Sequence, residues 1–66
     1  MYVIMRTDQG GGFLSTGGGA AYTFNIEYIR LFDTREQAER ERCPGNEIVL
    51  PLEAVAGQKL RREYWQ

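Results

Sequence analysis

The 66-residue chain contains no histidine and only one cysteine, Cys43. Histidine is the commonest general base and the commonest metal ligand in proteins, so neither role is available here. One cysteine cannot form a disulfide within the chain, and a zinc site needs about four ligands drawn from Cys, His and carboxylate side chains. Acid–base chemistry would have to depend on carboxylates alone, so we expect a non-enzymatic protein with no catalytic residues, metal or cofactor.

The sequence also lacks a long apolar run and a marked excess of either charge. No stretch approaches the ~20 apolar residues that cross a bilayer. Eight basic and nine acidic residues give a net charge of -1, which is too small to draw the chain to nucleic acid or anionic lipid. Residues 1–6 lack the basic start of a signal peptide. We therefore expect a cytoplasmic protein without a membrane partner, and nucleic acid is not expected as its main ligand.

The short chain also limits the size of the hydrophobic core. A domain of this length buries only about 60% of the surface that it exposes when unfolded, so its stability is marginal. Disulfides and metals are already excluded as sources of extra stability, which leaves self-association. We expect a homo-oligomer, with the large aromatic residues Tyr64 and Trp65 at or beside its interface.

The N-terminal part has the pattern of an antiparallel meander. Alternating aromatic and β-branched residues predict a strand over residues 2–7. Glycine-rich turns then allow strands over 13–16 and 21–25 to return beside it. Residues 26–32 are ambiguous between a helical turn and an extended segment, and we expect a turn followed by a short strand.

A helix is predicted at about residues 34–42. Asp33 is the expected N-cap, and Glu36 three residues later completes a capping box. Pro44 and Gly45 end the helix.

The C-terminal part is predicted to begin with a strand over residues 47–53. Pro51 lies inside this strand and indicates a sheet edge or a bulge. Residues 54–58 are expected to form a loop, and 59–65 form either a strand or a helical turn. The whole pattern predicts one domain over residues 1–66, of the α+β class, with four or five antiparallel strands and one short helix.

Two glycine triplets, residues 10–12 and 17–19, raise the question of a phosphate-binding loop. Residues 12–17 satisfy the first half of a Walker motif, but Gly18 and Gly19 stand where Lys and Ser or Thr are required. A chain this short also lacks the βαβ context of a dinucleotide site. Two alternatives remain: a backbone cradle for an anionic ligand, or plain turns of a small β protein.

The leading hypothesis places a nucleotide-like ligand at these glycines, with hydroxyl groups, an aromatic ring and guanidinium groups from nearby residues. The candidate ligand-binding residues are Arg6, Gly11, Gly12, Ser15, Thr16, Gly17, Gly18, Gly19, Tyr22, Thr23 and Arg30. For the two arginines, an exposed position on a strand is the alternative.

Three other features have simpler explanations. Cys43 is expected to be a small buried residue at the helix end, because no histidine exists to activate its thiol. Residues 39–42 are expected to form a solvent-exposed helix face. The basic and aromatic residues of 59–65 resemble those of single-strand binders, although packing in the core or at an interface is the alternative.

The order of the short pieces YVI, GGFLS, YT, FDTREQAE and VLPLE resembles small uncharacterised proteins of bacteriophages and prophages. The similarity covers most of the chain but includes no diagnostic motif. Such proteins often act as anti-defence factors. Some are similar to oligomeric sponges that sequester cyclic or ADP-ribose-derived signalling nucleotides, and others inhibit a defence nuclease by direct contact.

The resemblance implies a non-enzymatic viral protein that acts in the host cytoplasm. The leading hypothesis is a homo-oligomeric sponge for a nucleotide-derived immune signal. The alternatives are a protein-binding inhibitor of a bacterial defence system, similar to anti-CRISPR proteins, and a weak single-stranded nucleic-acid binder.

Overall fold

A computed structural model describes residues 1–17 and 19–55. They form a four-stranded antiparallel sheet in the order β3-β2-β1-β4. The strands are β1 (Tyr2–Arg6), β2 (Phe13–Leu14), β3 (Tyr22–Thr23) and β4 (Glu47–Pro51). The helices are a 3₁₀ turn (Ile26–Tyr28), α1 (Arg35–Glu41) and the single-turn α2 (Leu52–Val55). The predicted α+β class and the N-terminal antiparallel meander are confirmed.

The central strand β1 has very different contacts with its two neighbours. It pairs with β4 along its whole length, from Tyr2 opposite Pro51 to Arg6 opposite Glu47. With β2 it pairs only where Met5 lies opposite Phe13.

The gap between β1 and β2 is filled by residues 29–32. Phe32 bridges to Tyr2 and Ile29 bridges to Ser15. The predicted short strand within 26–32 is therefore reduced to isolated bridges. It is preceded by the 3₁₀ turn, which begins where the Asn25 side chain accepts a hydrogen bond from the Glu27 N–H at 2.9 Å.

Each face of the sheet has its own apolar cluster, because successive side chains of β1 point to opposite faces. One cluster consists of Val3, Phe13, Ile29 and Val55. The other consists of Ile4, Phe32, Ala38 and Val49. Helix α1 covers the second face, and Ala38 is its only buried residue, so the contact between helix and sheet is thin.

The predicted N-cap of α1 was wrong by one residue. Thr34 is the cap, and its hydroxyl accepts a hydrogen bond from the Gln37 N–H at 3.1 Å. Gln37 in turn accepts from the Asp33 N–H at 3.2 Å. Phe32 is fixed in the sheet by its paired bonds with Tyr2, so Asp33 is used as the connecting residue and the helix begins after Thr34.

The remaining differences concern the ends of elements. Strands β2 and β3 are shorter than predicted: β2 ends at Leu14, after which Ser15 bridges to Ile29, and β3 ends at Thr23, before a bend at Phe24. Strand β4 ends at Pro51, where a continuing strand was predicted to residue 53, and α2 replaces the start of the predicted loop. Leu52 and Val55 are three residues apart and both contact the same apolar cluster, which favours a helical turn there.

Two predictions about the C-terminal part have different outcomes. Within the part of the chain described, β4 is an edge strand, as Pro51 indicated. Residues 56–58, the predicted element 59–65 and the predicted interface residues Tyr64 and Trp65 lie outside the described residues.

Candidate functional site

Residues 7–12, which we call the first glycine segment, form a tight connection between β1 and β2. Gln9, Gly10, Gly11 and Gly12 all have positive φ, from 50° to 114°. The Arg6 N–H donates to the Gly12 carbonyl at 2.9 Å, and the Gly11 N–H donates to the Asp8 carbonyl at 3.0 Å. Gly12 is buried, and a Cβ at this position would lie 3.2 Å from the Cβ of Tyr22. Glycine is therefore required here for both backbone conformation and space.

Tyr22, which packs against Gly12, connects this segment to β4 at the other edge of the sheet. Its hydroxyl donates to the carboxylate of Glu47, a residue that is only 5% exposed. The other oxygen of that carboxylate accepts the Cys43 N–H at 2.6 Å. The hydrogen bond to Glu47, together with a smaller effect of burial, raises the pKa of Tyr22 above its ordinary value of 10.0. The Tyr22 hydroxyl is thus engaged within the fold.

Arg6 is similarly occupied by contacts within the protein. Its guanidinium lies 4.4 Å from the centre of the Tyr22 ring, and its Nε donates to Asp8 at 2.8 Å. Arg6, Asp8 and Gly11 contribute to the lining of a surface depression of about 340 Å³. Because the Asp8 carboxylate opposes the positive charge of Arg6, this depression is poorly suited to a phosphate.

The connection between β2 and β3 is the second glycine segment, described over residues 15–17 and 19–21. Its backbone is arranged around the hydroxyl of Ser15. This hydroxyl donates to the Ala20 carbonyl at 2.6 Å and accepts the Gly17 N–H at 3.0 Å. Gly17 and Gly19 have φ values of 122° and 111°, and a Cβ at either would meet nothing within 4 Å. These glycines meet a conformational need of the backbone, and the space around them is open.

A cavity of about 360 Å³ lies beside this second segment. It is lined by Ser15, Gly17, Ala20, Thr23 and Tyr28. Tyr28 is 55% exposed, and the Thr23 hydroxyl accepts the Asn25 N–H at 3.0 Å. These lining residues are uncharged and offer an aromatic surface beside hydroxyl and backbone groups. Such a lining is suited to a flat ring with hydrogen-bonding edges.

The predicted ligand residues fall into separate places. Ser15, Gly17 and Thr23 line the cavity. Thr16 and Gly19 are exposed residues of the same turn region, and Gly18 lies outside the described residues. Tyr22 and Thr23 were expected in one pocket, but they are adjacent residues of β3 and point to opposite faces of the sheet.

The other predicted residues do not join this cavity. Arg6, Gly11 and Gly12 belong to the first segment. Arg30 lies with neither glycine segment: its guanidinium is 4.7 Å from the centre of the Phe32 ring and 3.5 Å from the Glu41 carboxylate. The residues expected to act as one site therefore lie in three places: the first glycine segment, the cavity beside the second glycine segment, and the position of Arg30 beside Phe32 and Glu41.

Two features were missed by the sequence analysis. Tyr28 lines the cavity, and its only local signal is Asn25, a good cap for the turn that positions it. The network of Tyr22, Glu47 and the Cys43 backbone joins residues more than twenty positions apart and has no local signal.

Cys43 was predicted to be buried but is exposed. The helix ends at Glu41, so Cys43 follows it and lies beyond the face that packs on the sheet. Among residues 1–17 and 19–55, no three His, Cys, Asp or Glu side chains are grouped as metal ligands. Within the same ranges no helix is long and apolar enough to span a membrane.

Comparison with known proteins gives no relative from which a site could be transferred. No family model matches the chain, and neither a curated protein nor a solved structure is significantly similar to it.

Proposed function

We propose that this protein binds a nucleotide-derived ligand without chemical conversion, holding the base and ribose in the cavity beside the second glycine segment. The observation that supports the proposal is that cavity, whose lining combines the exposed residue Tyr28 with Ser15 and Thr23. Its volume of about 360 Å³ is at the lower end of the usual range for small-molecule sites.

The chemistry of the lining favours a nucleoside over an isolated anion. Stacking of a base on an aromatic side chain contributes about 1–3 kcal/mol, and Tyr28 supplies such a ring. The Ser15 hydroxyl already donates its proton to Ala20 and can still accept a hydrogen bond, whereas the Thr23 hydroxyl can still donate one, in each case to or from a base edge or ribose. The described lining residues are uncharged and supply no cation for a phosphate, so we place the phosphates of a bound nucleotide outside the cavity, in solvent.

The biological role that we propose is sequestration. A viral anti-defence protein of this kind removes a nucleotide-derived immune signal from the cytoplasm of a bacterial host by binding it as a small oligomer. Three points support this role: the sequence resemblance to small phage proteins, the lack of histidine, and a small core, in which Val3, Ile4 and Phe13 are the only large and fully buried side chains among the described residues.

The alternative of a protein-binding inhibitor that adds a strand to the sheet has less support. Of the β4 residues whose backbone faces the free edge, Pro51 has no N–H. Glu47 already donates to the Cys43 carbonyl and accepts from Arg42. Within the described part, Val49 alone then offers a donor and an acceptor, which is too little for β-strand addition. The residues of the nucleic-acid alternative lie outside the described ranges.

The proposal is tested by a thermal-shift and calorimetric panel of nucleosides, nucleotides, cyclic dinucleotides and ADP-ribose derivatives. We expect at least one member to stabilise the protein, by an amount that grows with ligand concentration above Kd. The variant Tyr28→Ala should bind that ligand roughly 5- to 150-fold more weakly, which corresponds to the loss of one stacked base. Tyr28→Phe is the matched control and should retain the stacking contribution.

Two results would contradict the proposal. One is the absence of binding across the whole panel. The other is equal affinity of the wild type and Tyr28→Ala, measured on folded protein, for a ligand that does bind.

A further inference from the structure

A second cleft, of about 280 Å³, lies between helix α1 and the segment that precedes it. Its lining residues are Arg30, Leu31, Phe32, Gln37, Arg40 and Glu41. The three helix residues are at positions i, i+3 and i+4, which places them on one face of α1. The cleft therefore has two walls, one from residues 30–32 and one from this helix face.

Arg30 is held in place on the sheet side of the cleft. Its backbone N–H donates to the Leu14 carbonyl at 2.8 Å, and its guanidinium lies 4.7 Å from the centre of the Phe32 ring. Phe32 is only 5% exposed and is bonded to Tyr2 through both its N–H and its carbonyl. The ring contact restricts the guanidinium without a conventional hydrogen bond, so its N–H donors are left for an oxyanion.

The lining of the cleft carries an excess of positive charge. Arg30 and Arg40 supply two guanidinium groups against the one carboxylate of Glu41, although the whole chain has a net charge of -1. Glu41 lies 3.5 Å from the Arg30 guanidinium, and both side chains are almost half exposed. Exposed pairs of this kind contribute little to stability, so an anion displaces Glu41 at low cost. Among residues 1–17 and 19–55, no carboxylate forms an ion pair with Arg40.

The other lining groups favour a small anion with several oxygens. The Oε1 of Gln37 accepts from the Asp33 N–H at 3.2 Å, which leaves the amide N–H groups of Gln37 as donors for a ligand. Two guanidinium groups and an amide from the two walls suit an anion with several acceptor oxygens. The depression beside the first glycine segment lacks this excess of charge, because Asp8 lies 2.8 Å from Arg6 there.

We propose that this cleft binds the phosphate group of a small molecule, with Arg30 and Arg40 as its main ligands and Gln37 as a further donor. A phosphate has more acceptor oxygens than a carboxylate, and guanidinium groups bind it through paired hydrogen bonds. Glu41 opposes the bound anion and lowers its affinity. The cleft shares no residue with the cavity beside the second glycine segment, so this inference does not rest on the proposed function.

The first test is a titration of the full chain with inorganic phosphate at constant ionic strength, followed by two-dimensional amide NMR. We expect saturable shifts of the amides of residues 30–32 and 37–41. Arg40→Gln should weaken binding roughly 10-fold, as expected for the loss of one charge-assisted hydrogen bond. The matched control is Arg35→Gln, which removes the same charge from α1 at a residue outside the cleft and should bind phosphate as the wild type does.

Glu41→Gln tests the site in the opposite direction. Removal of the opposing carboxylate should strengthen phosphate binding several-fold, a gain that a purely structural role of Glu41 would not produce. Glu36→Gln is the matched control, because it changes the net charge equally at an exposed residue in the first turn of α1. Its affinity for phosphate should equal that of the wild type. The amide spectrum of each variant shows whether it is folded.

Acetate and glycerol phosphate test the class of ligand. Glycerol phosphate should bind in the same cleft as inorganic phosphate, and acetate should bind much more weakly. Exclusion of glycerol phosphate while inorganic phosphate binds would support the site and assign it to the free ion. Acetate that binds as tightly as phosphate would overturn the assignment to a phosphate group.

Two results would overturn the site itself. One is a wild-type spectrum without saturable shifts in residues 30–32 and 37–41. The other is equal weakening by Arg40→Gln and Arg35→Gln, because binding would then depend only on the overall charge of the protein.

Discussion

The two glycine segments have nearly the same composition but different surroundings. At the first, Gly12 is buried against Tyr22, and the backbone is bonded to Arg6 and Asp8. At the second, Gly17 has open space where a side chain would be, and a cavity lies beside it. Glycines in similar turns can therefore have different roles: Gly12 is needed because a side chain would clash with Tyr22, whereas Gly17 borders open space.

The tyrosines beside the two segments differ in the same way. The Tyr22 hydroxyl donates to Glu47, and its ring lies under Arg6. Tyr28 is more than half exposed and lines the cavity. Tyr22 therefore stabilises the first segment through contacts within the fold, whereas Tyr28 at the second segment is accessible to a ligand.

Replacement of one glycine from each segment by alanine should show the largest difference. Gly12→Ala and Gly17→Ala both force a residue with a side chain into positive φ, which costs about 1–3 kcal/mol. Gly12→Ala adds a contact at 3.2 Å with Tyr22, and overpacking of this kind costs about 1–3 kcal/mol more. Chemical denaturation should therefore find Gly12→Ala the less stable variant. Equal losses in the two would contradict the assignment of the first segment to packing.

Removal of each tyrosine hydroxyl provides a second contrast. Tyr22→Phe leaves the buried Glu47 carboxylate without one of its donors and should destabilise the protein by about 1–3 kcal/mol. Tyr28→Phe removes a hydroxyl from an exposed ring and should change the free energy of unfolding by less than about 0.5 kcal/mol. If the two variants have the same stability, the hydrogen bond from Tyr22 to Glu47 does not stabilise the fold as we propose.

The helix is connected to the first segment through the Cys43 backbone and Glu47, so its cap provides a smaller test. Thr34→Ala should destabilise the protein by about 0.5–2 kcal/mol through loss of the side-chain cap. Asp33→Ala retains the observed cap and serves as the matched control. A larger loss in Asp33→Ala than in Thr34→Ala would mean that the helix begins one residue earlier.

Alkaline pH should lower the free energy of unfolding through ionisation of Tyr22. The pKa of Tyr22 is raised in the folded protein, so the folded state retains this proton at pH values where the unfolded chain has released it. The stabilisation is complete below the unfolded pKa of about 10 and is lost as the pH rises from there through the folded pKa. Denaturation curves of Tyr22→Phe should lack this part of the alkaline loss. Identical pH dependence in wild type and variant would contradict the assignment.

Local sequence signals were enough to predict the class of the fold. The alternation in Tyr2–Arg6, the glycine turns and the position of Pro51 are properties of neighbouring residues, and each was interpreted correctly. The N-cap was placed one residue too early because Asp33 and Thr34 are both good caps. The choice between them depends on Phe32, which is held by Tyr2 thirty residues away.

The candidate site was less predictable. Ser15 and Gly17 were found because hydroxyl and glycine residues adjoin in the sequence. The assignment of Tyr22 to the same pocket failed because the pairing of Leu14 with Tyr22 turns this ring towards the opposite face from Thr23. Tyr28 was missed since its place beside Ser15 depends on the bridge between Ser15 and Ile29. Such non-local pairings have no signature in a short window of sequence.

The central claim is that the second glycine segment, and not the first, forms the ligand site. Two-dimensional amide NMR, with the panel ligand that gives the largest thermal shift titrated into the full chain, tests it most directly. We predict concentration-dependent shifts centred on the amides of Ser15, Gly17, Ala20, Thr23 and Tyr28, with those of residues 10–12 little changed. Shifts centred on residues 10–12 and Arg6, or a spectrum that no panel ligand changes, would contradict it.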